Sequence, residues 1–309
     1  MSRARVQPKS LLSVAARSPL LALALALGLA AGVALAAGAA RGRGAMAPTG
    51  SPEPAKGGAA PARGPVVVEL FTSQGCSSCP PADRLLSRLK RDPRLAGEVI
   101  PLAFHVDYWN HLGWSDPFSS HLWSQRQQGY AQAFHSNRIY TPQLVINGRT
   151  ECVGSEEGQV MRRIREALAA EPAAQVTLGT PVVGDSARVA VGARLLRPVP
   201  GDGPEVWVAL VESGLTTPVR GGENASATLH DDQVVRLMVK ALTLRQPAAG
   251  AGAAGSESTA EVTLPLDPKW NRSALDLVAF LQDPRSLSIH GAASRPLAAA
   301  PAPAAPASP

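Results

Sequence analysis

The sequence predicts an α/β domain with the element order β-α-β-α-β-β-α, followed by an all-β, sandwich-like domain. Two observations predict this. Between residues 65 and 171, short apolar runs alternate with segments whose apolar residues recur at helical spacing. Between residues 172 and 296, short strand-like runs recur between Gly, Pro and Asp, which is typical of an antiparallel sandwich. The 309 residues are enough for two domains of ordinary size.

The first three elements are predicted as a strand over 66–71, a helix over 80–91 and a strand over 99–106. Residues 66–71 form a short apolar run, which is consistent with a buried strand. In the helix, Leu85, Leu86 and Leu89 share one face, and Asp92-Pro93 ends it. A strand, a helix and a second strand are therefore expected, with a loop between the first strand and the helix.

A second helix is predicted from Asp116 to about Phe134. Asp116-Pro117 is typical of an N-cap followed by proline at the first helical position. Trp123, Tyr130 and Phe134 recur at helical spacing and are expected to line the inner side of this helix.

A hairpin and a third helix complete the predicted α/β domain. Residues 144–147 and 150–153 flank Asn147-Gly148, a strong signal for a tight hairpin turn. Ser155 is expected to cap the last helix, whose apolar face contains Val160, Met161, Ile164 and Leu168.

The two ends of the chain and one internal stretch have a biased composition. Residues 1–40 combine a basic start with an uncharged, Ala/Leu-rich run, which is typical of an export signal. A retained membrane anchor is the alternative, and both interpretations place the rest of the chain outside the cytoplasm. Residues 41–64 are predicted as a flexible linker, 246–259 as a long surface loop and 297–309 as a disordered Ala/Pro tail.

The charge and the aromatic residues narrow the possible functions. The formal charge of +6 falls to +2 if residues 1–36 are removed, because they contain four basic and no acidic residues. No basic stripe interleaved with aromatic residues is present, so nucleic acid is not an expected partner. Ten of the thirteen aromatic residues lie between Phe71 and Tyr140, and the site is expected in that region.

The motif "GCSSCPPAD" contains the cysteines that we interpret as a redox pair. Cys76 and Cys79 have C-x-x-C spacing between the first predicted strand and the first predicted helix, a context that favours redox chemistry. Free N–H groups and the dipole at a helix N-terminus stabilise a thiolate. Cys76 is expected to be the attacking, more exposed sulfur, and Cys79 the resolving one.

Other roles for the cysteines remain open. A structural zinc site is disfavoured, since Cys152 is the only further cysteine and no suitably spaced histidine pair follows it. Copper binding by Cys76, Cys79 and His105 and a purely structural disulfide are alternatives to thiol–disulfide exchange. Cys152 is expected to be a buried, inert thiol, with a third redox partner or an intermolecular bridge as alternatives. No cofactor is predicted.

With these elements placed, the chain resembles thioredoxin-fold proteins, in which C-x-x-C follows the first parallel strand and a cis-proline precedes the third. Thr141-Pro142 in "YTPQLVINGR" matches the second feature. The resemblance implies a cis bond that brings the Thr141 backbone beside Cys76, where a partner peptide pairs as an added strand. Pro142 would position that partner.

More narrowly, the chain resembles an exported thioredoxin-like family, domain-of-unknown-function family 1223. The resemblance covers about residues 65–297 and is carried by "ELFTSQGCSSCPPAD", "FHVDYWNHLGW", "YTPQLVINGR" and "TTPVRGGENASATL". The family has no established substrate. Through the resemblance alone, Glu223, Asn224, His230 and Arg236 attract attention, and "RGGENAS" is expected to stabilise a domain interface or a turn, or to bind a ligand.

One departure from ordinary thioredoxins affects the motif itself. Ser77-Ser78 separate the cysteines, and Pro80-Pro81 follow them. Because proline suits the first turn of a helix but not its interior, the helix is expected to begin at Pro80 with Cys79 near its cap.

Polar and aromatic neighbours are expected at the same edge of the sheet, where sites of open α/β sheets form. His105 and Asp107 are predicted to share one face, and either can accept a proton from Cys79. The alternative is that Asp107 caps a turn and His105 packs in the sheet. Trp109 and Trp114 are expected to form an apolar platform for an unfolded or peptide substrate, or simply to pack a loop.

These observations favour an exported, periplasmic or secreted bacterial thiol–disulfide oxidoreductase. Its predicted partners are protein thiols and disulfides and a separate redox partner; a membrane is a partner only if the N-terminal segment is retained. The alternatives are a non-enzymatic copper-binding or delivery module and a protein-binding module with a structural disulfide.

Overall fold

The computed structural model of the chain describes residues 64–201, 203–245 and 256–298. The predicted signal or anchor over 1–40, the linker as far as residue 63, residues 246–255 of the predicted loop and the tail from residue 299 lie outside the described residues. Among the residues that are described, no helix has the length and apolar character needed to cross a membrane.

The first part of the chain contains the predicted element order β-α-β-α-β-β-α. Strand β1 pairs in parallel with β2 and antiparallel with β3. All residues of β1 and β2 are buried, which explains why their sequences are nearly continuous apolar runs. The elements are β1 (Val66–Thr72), α1 (Pro80–Arg91), β2 (Val99–His105), α2 (His121–Ala133), β3 (Gln143–Ile146), β4 (Thr150–Val153) and α3 (Glu157–Leu168).

The predicted start of the second helix is wrong. Helix α2 begins at His121 and not at Pro117, and its N-cap is Ser120, whose side chain accepts a hydrogen bond within the first turn. Asp116 has a different role, because its carboxylate accepts the backbone N–H of Gln74 at 2.8 Å. The residue that was expected to cap the helix therefore forms a long-range hydrogen bond.

The hairpin prediction is confirmed, and the cap of the third helix is corrected. Asn147 and Gly148 have φ values of 47° and 61°, the left-handed conformation that the tight turn requires. The N-cap of α3 is Glu156 without a side-chain capping bond, where Ser155 was expected.

From residue 172 onward, the described secondary structure is all β apart from one short 3-10 helix. Part of the predicted loop over 246–259 belongs to a strand, because β12 begins at Glu257. The elements are β5 (Ala174–Leu178), β6 (Val182–Val183), β7 (Ser186–Leu195), β8 (Glu205–Glu212), β9 (Leu215–Pro218), β10 (Thr228–Asp231), β11 (Val234–Thr243), β12 (Glu257–Pro265), the 3-10 helix (Arg272–Ala274), β13 (Leu275–Gln282) and β14 (Ile289–Pro296).

One mixed sheet of eight strands dominates the fold, in the order β14-β13-β8-β11-β2-β1-β3-β4. Strand β11 pairs in parallel with β2 at Val234 and Ala103, and Ala103 donates its N–H to the carbonyl of Gln233 at 2.8 Å. The prediction placed two domains in succession. In the structure, strands from both segments belong to one sheet. Strand β11 pairs with the edge that β2 would otherwise present to solvent.

A second sheet, β12-β7-β5 with β6 at its side, packs on one face of the large sheet. Buried residues alternate along β7, so one face lies in the core and the other meets solvent. The sandwich is thus built from a small sheet and the C-terminal strands of the large one. Its shared core includes Val176, Val189, Val191, Leu195, Val208, Leu210, Leu277 and Leu281.

On the opposite face, a buried ion pair joins the two segments beneath α2. Arg126 donates two hydrogen bonds of 2.8 Å to the Glu69 carboxylate, which also accepts the Tyr130 hydroxyl at 2.9 Å. Gln282 on β13 accepts from Arg126 at 3.2 Å and donates to the Tyr130 hydroxyl at 3.0 Å. The charges of Glu69 and Arg126 are therefore paired and hydrogen-bonded in the core.

Candidate functional site

The cysteine pair forms a disulfide at the beginning of α1. Cys76 and Cys79 are joined with their Cα atoms 5.5 Å apart. Cys79 is the N-cap residue of the helix, and its carbonyl accepts the backbone N–H groups of Ala82 at 2.8 Å and Asp83 at 3.1 Å. The predicted helix start at Pro80 is confirmed.

Both cysteines are buried, so the prediction that Cys76 is the more exposed sulfur is wrong. Each has a relative exposure of 0%, whereas Ser77 and Ser78 between them are exposed. The Cys76 Sγ lies 3.2 Å from the Ser78 hydroxyl oxygen and 3.9 Å from the Thr141 carbonyl oxygen. The disulfide is therefore covered by protein atoms, and the Ser78 hydroxyl and the Thr141 carbonyl are among them.

The Thr141–Pro142 peptide bond is cis, as predicted, and Pro142 is buried beside the disulfide loop. The indole N–H of Trp109 donates to the Thr141 hydroxyl at 2.8 Å. Cys76, Thr141 and Pro142 are thus brought together, as the resemblance implied, and Trp109, which was predicted separately, contacts Thr141.

Gln74, two residues before Cys76, connects the disulfide loop to its surroundings. Its side-chain amide accepts the indole N–H of Trp114 at 3.2 Å, and donates to Asp231 at 2.7 Å and to Thr217 at 3.0 Å. Trp114 therefore joins the site through Gln74. Sequence reasoning missed Gln74, although it stands inside the motif "TSQGCSSC".

A pair of acids with raised pKa values lies next to the first turn of α1. Burial, followed by the nearby carboxylate of Asp231, raises the pKa of Asp83 to about 7. Burial also raises the pKa of Asp231. Asp83 is partly exposed as a residue, but its carboxyl accepts the hydroxyl of the buried Thr72 at 2.7 Å. Asp83 closes the quoted motif "GCSSCPPAD", yet it was not predicted as a site residue.

His105 belongs to the same polar cluster but binds an acid and not a sulfur. Its Nδ1 lies 2.7 Å from the carboxylate of Asp116, and both side chains are fully buried. Burial alone would lower the pKa of His105, but the attraction of Asp116 outweighs it and raises this pKa to about 9. The ring is held as a cation at neutral pH, so it is a poor acceptor for a proton from Cys79.

Asp107 is placed apart from this cluster. It lies beyond the end of β2, where it accepts the Ser124 hydroxyl and lies 3.2 Å from the Nδ1 of His121. Hydrogen bonding by Ser124 lowers the pKa of Asp107, so the carboxylate is a weak base. The Asp107 carboxylate therefore bonds to the first residues of α2, whereas the alternative interpretation placed it as the cap of a turn.

The segment 219–227, here called the cap loop, bonds to the disulfide loop. Asn224 donates its side-chain amide to the carbonyls of Gln74 at 2.8 Å and Cys76 at 3.0 Å. The Glu223 carboxylate accepts the backbone N–H of Ser77 at 2.9 Å. The cap loop contains the "RGGENAS" turn. The predicted contact of this turn between the two segments consists of these hydrogen bonds.

His230 and Arg236, the other residues noted in this segment, have different surroundings. The Nδ1 of His230 lies 3.1 Å from the Thr216 hydroxyl within the β9–β10 pair. The guanidinium of Arg236 lies 5.2 Å from the ring centroids of both Phe118 and Trp270. Both residues are thus engaged in local packing.

The described part of the chain contains no group of three His, Cys, Asp or Glu side chains arranged to hold a metal ion. Cys76, Cys79 and His105, the alternative copper set, therefore do not form such a group in the described residues. Cys152 is a free, buried thiol, as predicted, and burial raises its pKa to about 11, which keeps it protonated at neutral pH.

Together, the fold and the site define a mixed α/β protein with a buried C-x-x-C disulfide at a helix N-terminus. The chain belongs to the family described as "Protein of unknown function (DUF1223)", whose sequence profile matches residues 67–282. No curated protein matched the chain.

Two solved structures resemble this fold. Protein AGR_C_4864 from Agrobacterium tumefaciens is 27% identical, with a TM-score of 0.57, and the match covers 77% of this chain and 96% of that one. HBP35 of Porphyromonas gingivalis is 17% identical, also with a TM-score of 0.57, over 79% of this chain and 81% of that one. At that identity, the second likeness concerns the fold alone.

Proposed function

We propose that the protein is an exported thiol–disulfide oxidoreductase that acts on protein thiols and disulfides, and that residues 65–171 are a thioredoxin-like unit. The observation that carries the proposal is the joint position of the disulfide and the cis bond. Cys79 caps α1, and the Thr141 carbonyl preceding Pro142 lies 3.9 Å from the Cys76 sulfur. A partner's backbone can pair with Thr141 while its sulfur reaches Cys76.

From the oxidised state, a substrate dithiol is the co-reactant. A substrate thiolate attacks the Cys76 sulfur, the Cys76–Cys79 bond breaks, and Cys79 leaves as a thiolate that takes up a proton. The second thiolate of the substrate then attacks the substrate sulfur that is bonded to Cys76. This closes the substrate disulfide and releases Cys76 as a thiolate. Two electrons pass from the substrate to the cysteine pair, and the reverse sequence reduces a substrate disulfide.

Asp83 is the group proposed to exchange that proton with Cys79. It lies one helical turn after Cys79, and its backbone N–H bonds to the Cys79 carbonyl at 3.1 Å. A carboxyl with a pKa of about 7 can both give and accept a proton at neutral pH. Asp83 thus replaces Asp107 and His105 in the role that the sequence suggested for them.

The aromatic side chains beside the disulfide support binding of a peptide. Trp109 and Trp114 are half-buried, with their indole N–H groups bonded to Thr141 and Gln74. Their polar atoms are therefore satisfied and their positions held, which suits rings that offer apolar surface to an extended substrate.

Export is proposed from the composition of residues 1–40 and from the chemistry of the pair. Disulfides persist in oxidising compartments such as the bacterial periplasm or the extracellular medium. A cleaved signal gives a free protein there, and a retained segment gives one anchored to the inner membrane. A separate dithiol or disulfide protein is then needed to restore the pair after each turnover.

The test is the reduction potential of the Cys76–Cys79 pair, measured by equilibration with glutathione and thiol trapping. A value between about −120 and −270 mV is expected for an exchange catalyst. Cys76→Ser should abolish exchange with a disulfide-bearing peptide, while Cys152→Ser, which leaves the pair intact, should not. A potential below about −300 mV, or full activity in Cys76→Ser, would contradict the proposal and indicate a structural disulfide.

A further inference from the structure

The cap loop, residues 219–227, connects two short strands that lie outside the large sheet. Strands β9 and β10 pair only with each other among the described residues, over four positions from Leu215–Pro218 to Thr228–Asp231. A two-stranded ribbon of this length has little stability of its own in water. Its position therefore depends on what it touches, and its tip touches the disulfide loop.

The contacts of the cap loop surround Cys76 on both sides in the sequence. Asn224 donates to the carbonyls of Gln74 and Cys76, and Glu223 accepts the N–H of Ser77. These are two backbone acceptors and one backbone donor of the disulfide loop. The backbone of an extended peptide carries the same kinds of donors and acceptors, in main-chain N–H and C=O groups.

A second contact holds the cap loop against the segment that carries the tryptophans. A Cβ atom built on Gly221 would stand 2.3 Å from the carbonyl oxygen of Gly113, and one on Gly222 would stand 3.0 Å from the Cβ of Trp114. Gly222 also has a φ of 68°. Only glycine permits this close approach, so the cap loop fits against the 108–115 segment without side chains between them.

Cys76 is fully buried in this arrangement, yet thiol–disulfide exchange requires a thiolate to reach its sulfur. We infer that the cap loop is a lid that closes the disulfide, and that an extended peptide substrate gains access by replacing Asn224 and Glu223 on the backbone of residues 74–77. The inference rests on the proposed function and names what controls entry to the same site.

The polar bonds of the lid are few, which makes opening feasible. Asn224 supplies two of the three bonds to the disulfide loop, and each neutral hydrogen bond contributes little net stability in water. Gln74 bonds to Thr217 and Asp231 at the two strands of the ribbon, away from its tip. The ribbon can therefore stay attached by its strands while its tip moves.

The experiment measures how fast dithiothreitol, which supplies the two electrons, reduces the disulfide in the full-length oxidised protein. Asn224→Ala removes two lid bonds, and we expect reduction about tenfold faster than in the wild type. Asn224→Asp keeps the shape but places a carboxylate against two carbonyls, so it should accelerate reduction at least as much. The matched control is Thr216→Val, which loses the bond to His230 in the same ribbon but none to the disulfide loop.

Unchanged reduction rates in both Asn224 variants would overturn the lid. A thermal melt of each oxidised variant, with a midpoint close to that of the wild type, separates lid opening from unfolding, and acceleration in Thr216→Val would indicate general loosening. The reduction potential is read from the same samples at equilibrium. A potential typical of structural disulfides refutes the proposed function alone, because the rate comparison still decides whether the lid exists.

Discussion

Asp83 illustrates how the surroundings of an acid change its pKa. Its ordinary pKa of 3.8 is raised to about 7, first by burial and then by Asp231. Asp231 is the last residue of β10, so an acid of the ribbon raises the pKa of an acid on α1. This coupling exists only because residues far apart in the chain are packed together.

The first residue-scale prediction concerns proton transfer. Asp83→Asn should slow exchange with a disulfide-bearing peptide by about 100-fold at pH 7, the loss typical of a removed general acid–base group. The exchange rate of the wild type should depend on pH around pH 7, and this dependence should be absent in Asp83→Asn. Stopped-flow kinetics across pH 5–9 measure both.

Asp92→Asn is the control, because Asp92 ends the same helix and bonds only to Arg94 among its described side-chain partners. Asp92→Asn should leave the pH dependence of the exchange rate unchanged. If Asp107→Asn loses the activity and Asp83→Asn retains it, the sequence-based candidate is restored and Asp83 is not the proton acceptor.

The second residue-scale prediction concerns stability against pH. Asp83 keeps its proton up to about pH 7 in the folded protein but releases it near pH 3.8 when unfolded. Its stabilising contribution is therefore complete below about pH 4 and is lost as the pH rises to about 7. The free energy of unfolding, measured with urea, should fall less over this window in Asp83→Asn than in the wild type. Equal slopes would contradict the raised pKa.

At the scale of elements, α2 is anchored to the sheet by a charge and not only by apolar packing. Arg126 contacts the Glu69 carboxylate on β1 and stacks on the rings of Phe104, Tyr130 and Phe280, 5.3, 5.3 and 5.5 Å from their centroids. A buried carboxylate whose partner is removed is costly, because it has lost its water without compensation.

Arg126→Met should therefore lower the free energy of unfolding by about 3–5 kcal/mol. Arg88→Met is the matched control: Arg88 pairs with Glu157 at 2.6 Å, but both side chains are more than half exposed. That change should cost at most about 1 kcal/mol. Urea denaturation of the oxidised proteins measures both, and equal costs would show that burial of the Arg126 pair is unimportant.

At the scale of the whole molecule, the β2–β11 pairing makes one sheet of the two segments. Gln282 on β13 also bonds to the ion pair beneath α2, so the segments share a hydrogen-bonded network as well as a sheet. The described residues between 64 and 298 accordingly belong to one compact unit. A lid donated by the second segment can then remain in register with a disulfide in the first.

We therefore expect the two segments to unfold together. Hydrogen exchange monitored by mass spectrometry should give peptides from β1 and from β13 the same opening free energy, with the same dependence on urea. Two separate values would show that the predicted domains are independent units joined by a weak contact.

The sequence by itself determined the features that depend on neighbouring residues. The order of elements from β1 to α3, the helix start at Pro80 and the turn at Asn147-Gly148 follow from apolar spacing and from the conformational limits of proline and glycine. The disulfide and the cis bond before Pro142 were likewise predictable, the latter through the resemblance. Each of these signals lies within a few residues of the structure it predicts.

Only the tertiary structure decided how the site is enclosed and tuned. Asn224 and Gln74 are 150 positions apart, and Asp231 and Gln74 are 157 apart, so no local pattern relates them. Strand pairing between β2 and β11 brings these segments together. It places Asn224 against the carbonyls of Gln74 and Cys76 and Asp231 near Asp83, whose pKa is raised, because burial and charge depend on distance in space and not along the chain.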